Sequence, residues 1–228
     1  MQVSDKNINN LLLTCREFCE EFPDGVIWLG DIAAHVHNAN NPTAESPQAG
    51  TLHNATFYIG LADMADLRDI QRVIPNRDLC KHHMTRHGFE FDIYTERHSN
   101  LIVPYDAVAS ESVTYNDIRV AAIEHLLALK LEAYSDRKSS SKGEKDARDI
   151  LRICLIAKNS DKTFQSHLAA PHLSDTHMEL FAQVIKGAQA TSLAHGNAMK
   201  AKAIRQSAQA IFDAIDGDRK GCGFGPTI

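Results

Sequence analysis

The most specific pattern in the chain lies between residues 118 and 150. Residues 118–133 read IRVAAIEHLLALKLEA, and residues 142–150 read KGEKDARDI. The first four residues are typical of a β-strand, and the apolar residues that follow recur at the spacing of a helix. Lys130 interrupts this apolar helix, and a second helix opens with Lys145 and Asp146. The pattern predicts a strand that leads into two helices, each carrying charged side chains at defined positions.

Upstream of this region, short apolar and alternating stretches predict a β-rich half of the chain. The stretch FEFDIY, residues 89–94, alternates strictly, so Asp92 is expected on the face opposite Phe91. An apolar run ends at Gly30, and a helix is expected to follow it. The predicted strands are 26–29, 55–61, 89–94, 101–104 and 118–121. The predicted helices are 5–22, 31–38 and 63–74.

Downstream of residue 122, helical periodicity dominates the chain. The predicted helices are 123–135, 145–157, 175–193 and 197–216, with a polar, basic loop between the first two. Residues 39–53 and 221–226 have the composition of a loop and of a tail. We expect an α/β (α+β) core over 1–122 and a helical region over 123–228 that packs on it.

Composition excludes several classes of protein. The chain has 228 residues, 43% of them hydrophobic and 23% charged, with a net charge of −5. These values are typical of a globular protein and argue against a generally basic nucleic-acid-binding surface. No apolar run has the length of a membrane-spanning helix, and the first residues do not resemble a signal peptide. Five cysteines, an odd number, predict reduced thiols in a cytoplasmic protein.

Together, these segments resemble the nucleotidyltransferase-fold superfamily. The resemblance covers residues 25–155 and is strongest to the AbiEii-type branch, which includes toxins of toxin–antitoxin and phage-defence systems. It implies an α/β nucleotidyltransferase-like core with a C-terminal helical region. It also implies an enzyme that transfers a nucleoside monophosphate from a nucleoside triphosphate to a hydroxyl. The acceptor would be RNA, such as a tRNA end, or a protein.

The resemblance also implies a catalytic centre with bound Mg²⁺. Asn54 and Thr56 occupy the positions of the family's Asp-x-Asp pair, and Asp92 occupies that of the third carboxylate. Gly30 and Asp31 occupy the positions next to the nucleotide phosphates. Asn and Thr offer neutral oxygens, which bind a hard dication less well than carboxylates do.

Four further residues are implied to orient the nucleotide or the acceptor: Lys130, Arg137, Lys145 and Asp146. Arg137 and Lys145 belong to the basic loop, which also suits a triphosphate or an RNA backbone. Each has a purely structural alternative. Lys130 would extend its amino group to solvent, Lys145 and Asp146 would be ordinary residues of a helix start, and the basic loop with Arg137 would simply be solvated.

The neutral pair Asn54 and Thr56 leaves three alternatives open. The protein is a catalytically degenerate member of the family, or it recruits other carboxylates such as Asp31, Asp63 or Asp66, or the two residues are engineered replacements. An alternative hypothesis assigns the protein a function of a different class. In it, a pseudoenzyme of the same fold acts as a regulatory module that binds a nucleotide, an RNA, or an antitoxin or other partner protein.

Overall fold

The computed structural model describes residues 3–41, 54–160 and 162–221. The loop predicted at 39–53 and the tail predicted at 221–226 fall outside the described residues from 42 and from 222 onward. The chain forms two compact units: among the described residues, the first holds 3–40 and 54–122, and the second holds 123–160 and 162–221 together with Asn41. Within the described ranges, every helix is too short or too polar to cross a membrane.

The first unit is built on a seven-stranded mixed sheet. Its strands are β1 (Ile27–Leu29), β2 (Asn54–Ile59), β3 (Ile74–Asn76), β4 (Lys81–Arg86), β5 (Phe89–Thr95), β6 (Val113–Tyr115) and β7 (Ile118–Val120). The strand order is β3-β4-β5-β2-β1-β7-β6. The pairs β2–β5 and β1–β7 are parallel, and the other neighbours are antiparallel. The described residues of this unit also form four helices: α1 (Val3–Glu21), α2 (Gly30–Asn40), α3 (Leu61–Ile70) and α4 (Tyr105–Ser110).

An aromatic cluster forms the core of the first unit. Phe18 of α1 is fully buried, and its ring centroid lies 5.3–5.8 Å from those of Trp28, Phe57 and Phe91. Phe57 and Phe91 occupy alternate positions of β2 and β5, so one face of the sheet is apolar and packs against α1. The other face of these two strands carries polar residues.

The second unit contains only helices among its described residues. They are α5 (Ile123–Arg137), α6 (Gly143–Asn159), α7 (Ser166–Ala169), a 3-10 turn (Ala170–His172), α8 (Asp175–Lys186), α9 (Gln189–Leu193) and α10 (Ala198–Gly221). Its core includes Ile150, Phe181 and Ala208, which are fully buried. Ser174 caps α8 by accepting a hydrogen bond from the His177 backbone, and the His177 ring accepts one from the Ser174 N–H.

The predicted fold class is confirmed: a mixed α/β core is followed by a helical C-terminal region. Three local predictions were wrong. Residues 101–104 form no strand, because Pro104 instead precedes α4. The helix predicted over 175–193 is two helices, since the chain takes an extended ψ at Gly187. The helix predicted over 63–74 ends at Ile70, and Ile74–Asn76 pairs with β4.

Candidate functional site

Asn54, Thr56 and Asp92 share one face of the sheet in the first unit. In the parallel β2–β5 pair, Thr56 lies opposite Asp92 and Asn54 lies opposite Glu90. Alternation along each strand places these four side chains together, away from the buried aromatic face. The structure therefore places Asn54, Thr56 and Asp92 next to one another, as the resemblance implied.

The Asp92 carboxylate is held by a cation from the neighbouring strand. Lys81 Nζ donates to Asp92 Oδ2 at 2.7 Å, and His83 Nδ1 lies 3.7 Å from Asp92 Oδ1. Both residues belong to β4, where His83 lies directly opposite Asp92. The sequence analysis missed Lys81, because the polar run Lys81–Arg86 has no apolar alternation from which a strand could be predicted.

Gly30 lies beside this face at the start of α2. Leu29, the preceding residue, pairs with Thr56, so the chain enters the helix next to β2. Gly30 has a φ of +60°, a left-handed conformation that glycine adopts without steric cost. The first turn of a helix offers backbone N–H groups that bind anions. Asp31 adds a negative charge to the same turn.

The side chains on this face do not fit a pair of Mg²⁺ ions. Such a pair needs several carboxylate oxygens. Asn54 and Thr56 are neutral. Of the two carboxylates on this face, Asp92 already binds Lys81, and Glu90 is exposed beside Asn54. Across the described ranges, no group of three or more His, Cys, Asp or Glu side chains could hold a metal ion. The donor chemistry therefore disagrees with the metal centre that the resemblance implied.

The second unit holds a compact cluster of charges on α5 and α6. Arg137 Nε and Nη2 donate to the two carboxylate oxygens of Asp146 at 2.5 and 3.0 Å. Lys130 Nζ lies 3.6 Å from Asp146 Oδ1 and 3.4 Å from Asp149 Oδ2. Asp146 is 1% exposed, so its charge is stabilised by these two cations rather than by water.

Asp149 connects two more cations to this cluster. Arg152 Nη1 donates to Asp149 Oδ1 at 2.8 Å, and Lys145 Nζ lies 3.9 Å from Asp149 Oδ2. The structure thus brings together Lys130, Arg137, Lys145 and Asp146, the four residues singled out in this half of the sequence. Arg152 was missed, although its position three residues after Asp149 on a helix is a recognisable signal.

The buried thiols and one buried histidine are poor candidates for chemistry. Burial raises the pKa of the Cys15 and Cys154 thiols, which keeps both protonated. The four cysteines within the described residues form no disulfide with one another. Burial, with a smaller contribution from His172, lowers the pKa of His125 to about 4 and keeps that ring neutral.

Comparison with known proteins supports the fold. No protein-family model and no curated protein matches the chain. Its structure is similar to that of an antigenic nucleotidyltransferase-like protein from Paracoccidioides brasiliensis, with a TM-score of 0.51, 12% identity, and coverage of 84% of this chain and 94% of that chain. The chain has a nucleotidyltransferase-like fold. JHP933 from Helicobacter pylori is also similar, with a TM-score of 0.51, 14% identity and 98% coverage of both chains.

At 12–14% identity, this likeness concerns the fold alone. In this nucleotidyltransferase-like fold, the polar face of β2 and β5 is the candidate site of the first unit. The charge cluster of α5 and α6 is the candidate site of the second. The AbiEii branch and the toxin or phage-defence role stay predictions.

Proposed function

We propose that this protein is a regulatory module that binds a nucleoside triphosphate without a metal-dependent transfer reaction. One observation carries the proposal. The face that would hold metal ions presents neutral Asn54 and Thr56. Of its two carboxylates, Asp92 is paired with Lys81, and Glu90 is exposed beside Asn54. A pseudoenzyme of a nucleotidyltransferase-like fold would lose its metal ligands in this way and keep its polar surface.

Neutral side chains favour direct contact with phosphate oxygens. The amide of Asn54 and the hydroxyl of Thr56 can each donate a hydrogen bond, whereas an aspartate pair would repel the phosphates. The N–H groups that follow Gly30 add donors beside the same strand. The second unit is a separate candidate site, where Lys130, Arg137 and Lys145 outnumber their partners Asp146 and Asp149 and suit a nucleotide or an RNA backbone. An RNA, an antitoxin or another partner protein would bind differently to the nucleotide-bound protein than to the free protein.

The proposal is tested by nucleotide binding with and without a metal ion. The protein would be titrated with each nucleoside triphosphate by equilibrium dialysis, once in excess Mg²⁺ and once in EDTA. We expect the wild-type affinity to be nearly equal in the two conditions. The double variant N54D/T56D should lose about tenfold or more in affinity in EDTA, because it places two negative charges near the phosphates.

A matched control separates this local effect from a change in net charge. N100D/T114D adds the same two charges at exposed positions of the same unit, and its affinity should equal that of the wild type. Wild-type binding that requires Mg²⁺ would contradict the proposal. Failure of all triphosphates to bind in either condition would contradict it as well.

The second candidate is an active nucleotidyltransferase of the AbiEii toxin or phage-defence type. The cluster of Lys130, Asp146 and Asp149 supports it, since a partly exposed lysine lies within 4 Å of two buried carboxylates and can contact a phosphate. In that reaction, an acceptor hydroxyl on RNA or protein bonds to the α-phosphorus. The α–β phosphoanhydride bond breaks, pyrophosphate leaves, and the hydroxyl proton is released.

Transfer of a label distinguishes the two candidates. Each α-labelled nucleoside triphosphate would be incubated with the protein, divalent metal, total RNA and lysate. Labelling by the wild type but not by Asp92→Ala would establish the enzyme. Labelling by N54D/T56D alone would show a transferase whose ligands have been replaced. No labelling by any variant, with retained nucleotide binding, is the result expected for the regulatory module.

A further inference from the structure

A cavity lies in the first unit, at the end of the sheet where β4 begins and β5 ends. Its volume is about 860 Å³. Its walls come from α3, from β3 with the turn that follows it, and from residues 97–99 after β5. Pockets of this volume accommodate ligands of the size of a small organic molecule.

Cations dominate the lining of this cavity. Its ionisable side chains are Arg68, Arg77, Lys81, His82, Arg97 and His98, together with the thiol of Cys80, and none of the described lining residues is an aspartate or a glutamate. Lys81 is paired with Asp92, and Arg97 Nε lies 3.9 Å from Glu96 Oε1.

Two of the cations have no carboxylate nearby. Neither Arg68 nor Arg77 lies within 4.0 Å of a carboxylate of the described chain. An arginine fork presents parallel N–H donors that match the oxygens of a phosphate group.

Two buried polar atoms in the lining lack a partner. Thr95 is 3% exposed, and its hydroxyl makes no hydrogen bond within the described residues. His82 Nδ1 is also buried and unpaired there. Arg68 Nη2 lies 2.7 Å from His82 Nε2 and can only donate, so Nε2 accepts and Nδ1 carries the proton. Burial and the charges of Arg68 and His98 lower the pKa of His82, which agrees with a neutral ring.

Unpaired buried donors need an explanation, because each leaves a desolvated polar group without compensation. Both residues, Thr95 and His82, belong to the lining of a cavity that is rich in cations. A bound anion with several acceptor oxygens would satisfy the Thr95 hydroxyl and His82 Nδ1 together, and would offset the two uncompensated arginines.

This cavity is distinct from the candidate nucleotide site. His82 lies opposite Ile93 in the β4–β5 pair, and Thr95 follows Ile93 by two residues. Both therefore belong to the face of the sheet opposite Asp92. Lys81 is the one residue that both lines the cavity and contacts Asp92.

We propose that the cavity is a second binding site, for a small organic molecule that carries a phosphate group. Arg68 and Arg77 bind the phosphate oxygens, and the Thr95 hydroxyl and His82 Nδ1–H donate to the same group. Leu61, Met64 and Pro75 line the remainder of the cavity and contact the apolar part of the ligand. The proposal does not depend on nucleotide binding at the other face.

Phenyl phosphate is a suitable probe, since it combines both features. Its binding would be measured by calorimetry and by amide chemical shifts, beside inorganic phosphate and phenol. We expect phenyl phosphate to bind more tightly than either and to shift the amides of α3, β4 and residues 95–99. Equal affinity for inorganic phosphate would overturn the assignment to an organic ligand.

Single substitutions locate the site. Arg77→Gln changes an exposed turn residue, and Arg68→Gln changes a helix residue. Each should weaken phenyl phosphate by about tenfold, the effect of one charge-assisted hydrogen bond. Thr95→Val removes the unpaired hydroxyl with little change of shape and should weaken binding several-fold. Arg72→Gln removes an exposed arginine that does not line the cavity, and should bind like the wild type.

The variant N54D/T56D separates this proposal from the preceding one. It should bind phenyl phosphate like the wild type, whatever its effect on nucleotides. Wild-type affinity in both Arg68→Gln and Arg77→Gln would overturn the proposal. Loss of phenyl phosphate binding in N54D/T56D would also overturn it, because the probe would then occupy the other face.

Discussion

Gly30 has a positive φ where β1 passes directly into α2. That torsion is what allows the chain to turn from the sheet into a helix beside Thr56. A side chain at Gly30 would meet no atom within 4 Å, so its cost is purely one of backbone conformation. A side chain at Gly217 would also meet no atom within 4 Å. Gly217 differs from Gly30 because it lies within the helix α10, where a side chain favours the backbone conformation.

We therefore expect Gly30→Ala and Gly217→Ala to have opposite effects on stability. Gly30→Ala should lower the free energy of unfolding by about 1 kcal/mol, the cost of the left-handed conformation. Gly217→Ala should raise it by up to about 1 kcal/mol, because alanine favours a helix interior. Urea denaturation measures both, and a change of the same sign in the two variants would contradict the conformational argument.

His125 is 1% exposed and its Nδ1 has no hydrogen-bond partner in the described chain. Burial and His172 lower its pKa from 6.5 to about 4. The unfolded chain therefore binds a proton at a higher pH than the folded chain does. Above the ordinary pKa of 6.5, His125 is neutral in both states, and the free energy of unfolding is at its full value. As the pH falls from 6.5 toward 4, the unfolded chain takes up a proton that the folded chain does not, and the free energy of unfolding decreases.

Replacement of His125 should remove this dependence on pH. Between pH 7 and 4.5 the wild type should lose about 2–3 kcal/mol of unfolding free energy relative to His125→Gln. The measurement is chemical denaturation at each pH. His167→Gln changes an exposed histidine of the same unit and should follow the wild-type curve. Parallel curves for His125→Gln and the wild type would show that His125 does not titrate in this way.

At the scale of elements, an aromatic side chain and a charged contact are prominent among the interactions that hold α1 against the sheet. The Phe18 ring packs on three aromatic rings of the sheet, and the Arg86 guanidinium lies 4.7 Å from its centroid. Arg86, on β4, also donates to Glu21 of α1 at 2.7 Å. These contacts connect α1 to the strand that supplies Lys81.

Phe18→Ala should therefore lower the free energy of unfolding by about 3–5 kcal/mol, as expected for a large side chain removed from a tight core. Leu13→Ala is the matched control on the same helix, because Leu13 is 53% exposed. Its effect should stay within about 0.5 kcal/mol. Thermal and urea unfolding measure both. Similar losses in the two variants would contradict the assignment of the core to Phe18.

The elements show where sequence patterns succeed and where they fail. Alternation in FEFDIY correctly places Asp92 opposite the buried face, and helical spacing correctly predicts α5 and α6. The strand β4 has no such signal, since its residues KHHMTR are mostly polar. It becomes a strand because it pairs with β5 on one side and with β3 on the other.

At the scale of the whole molecule, the chain has two cores, one around the aromatic cluster and one among the helices. We propose that residues 1–122 and 123–228 act as separate domains. Each unit has its own buried apolar residues, which is the physical requirement for independent folding. Trp28, the single tryptophan, is buried in the first unit and reports on it alone.

Unfolding followed by two probes tests this division. Tryptophan fluorescence follows the first unit, and helical circular dichroism follows mainly the second. Phe181→Ala should move the circular dichroism transition to lower denaturant and leave the fluorescence transition unchanged. Phe18→Ala should do the opposite. Transitions that move together in both variants would show one cooperative unit rather than two domains.

The sequence alone determined the fold class, the buried face of β2 and β5, and the side chains that share a polar face or a helix. These features follow from periodicities of two and 3.6 residues, which are local properties of the chain. Tertiary structure alone decided which charges meet. Lys81 contacts Asp92, Arg137 contacts Asp146, and the basic cavity forms, because strand pairing and helix packing bring together residues of different elements.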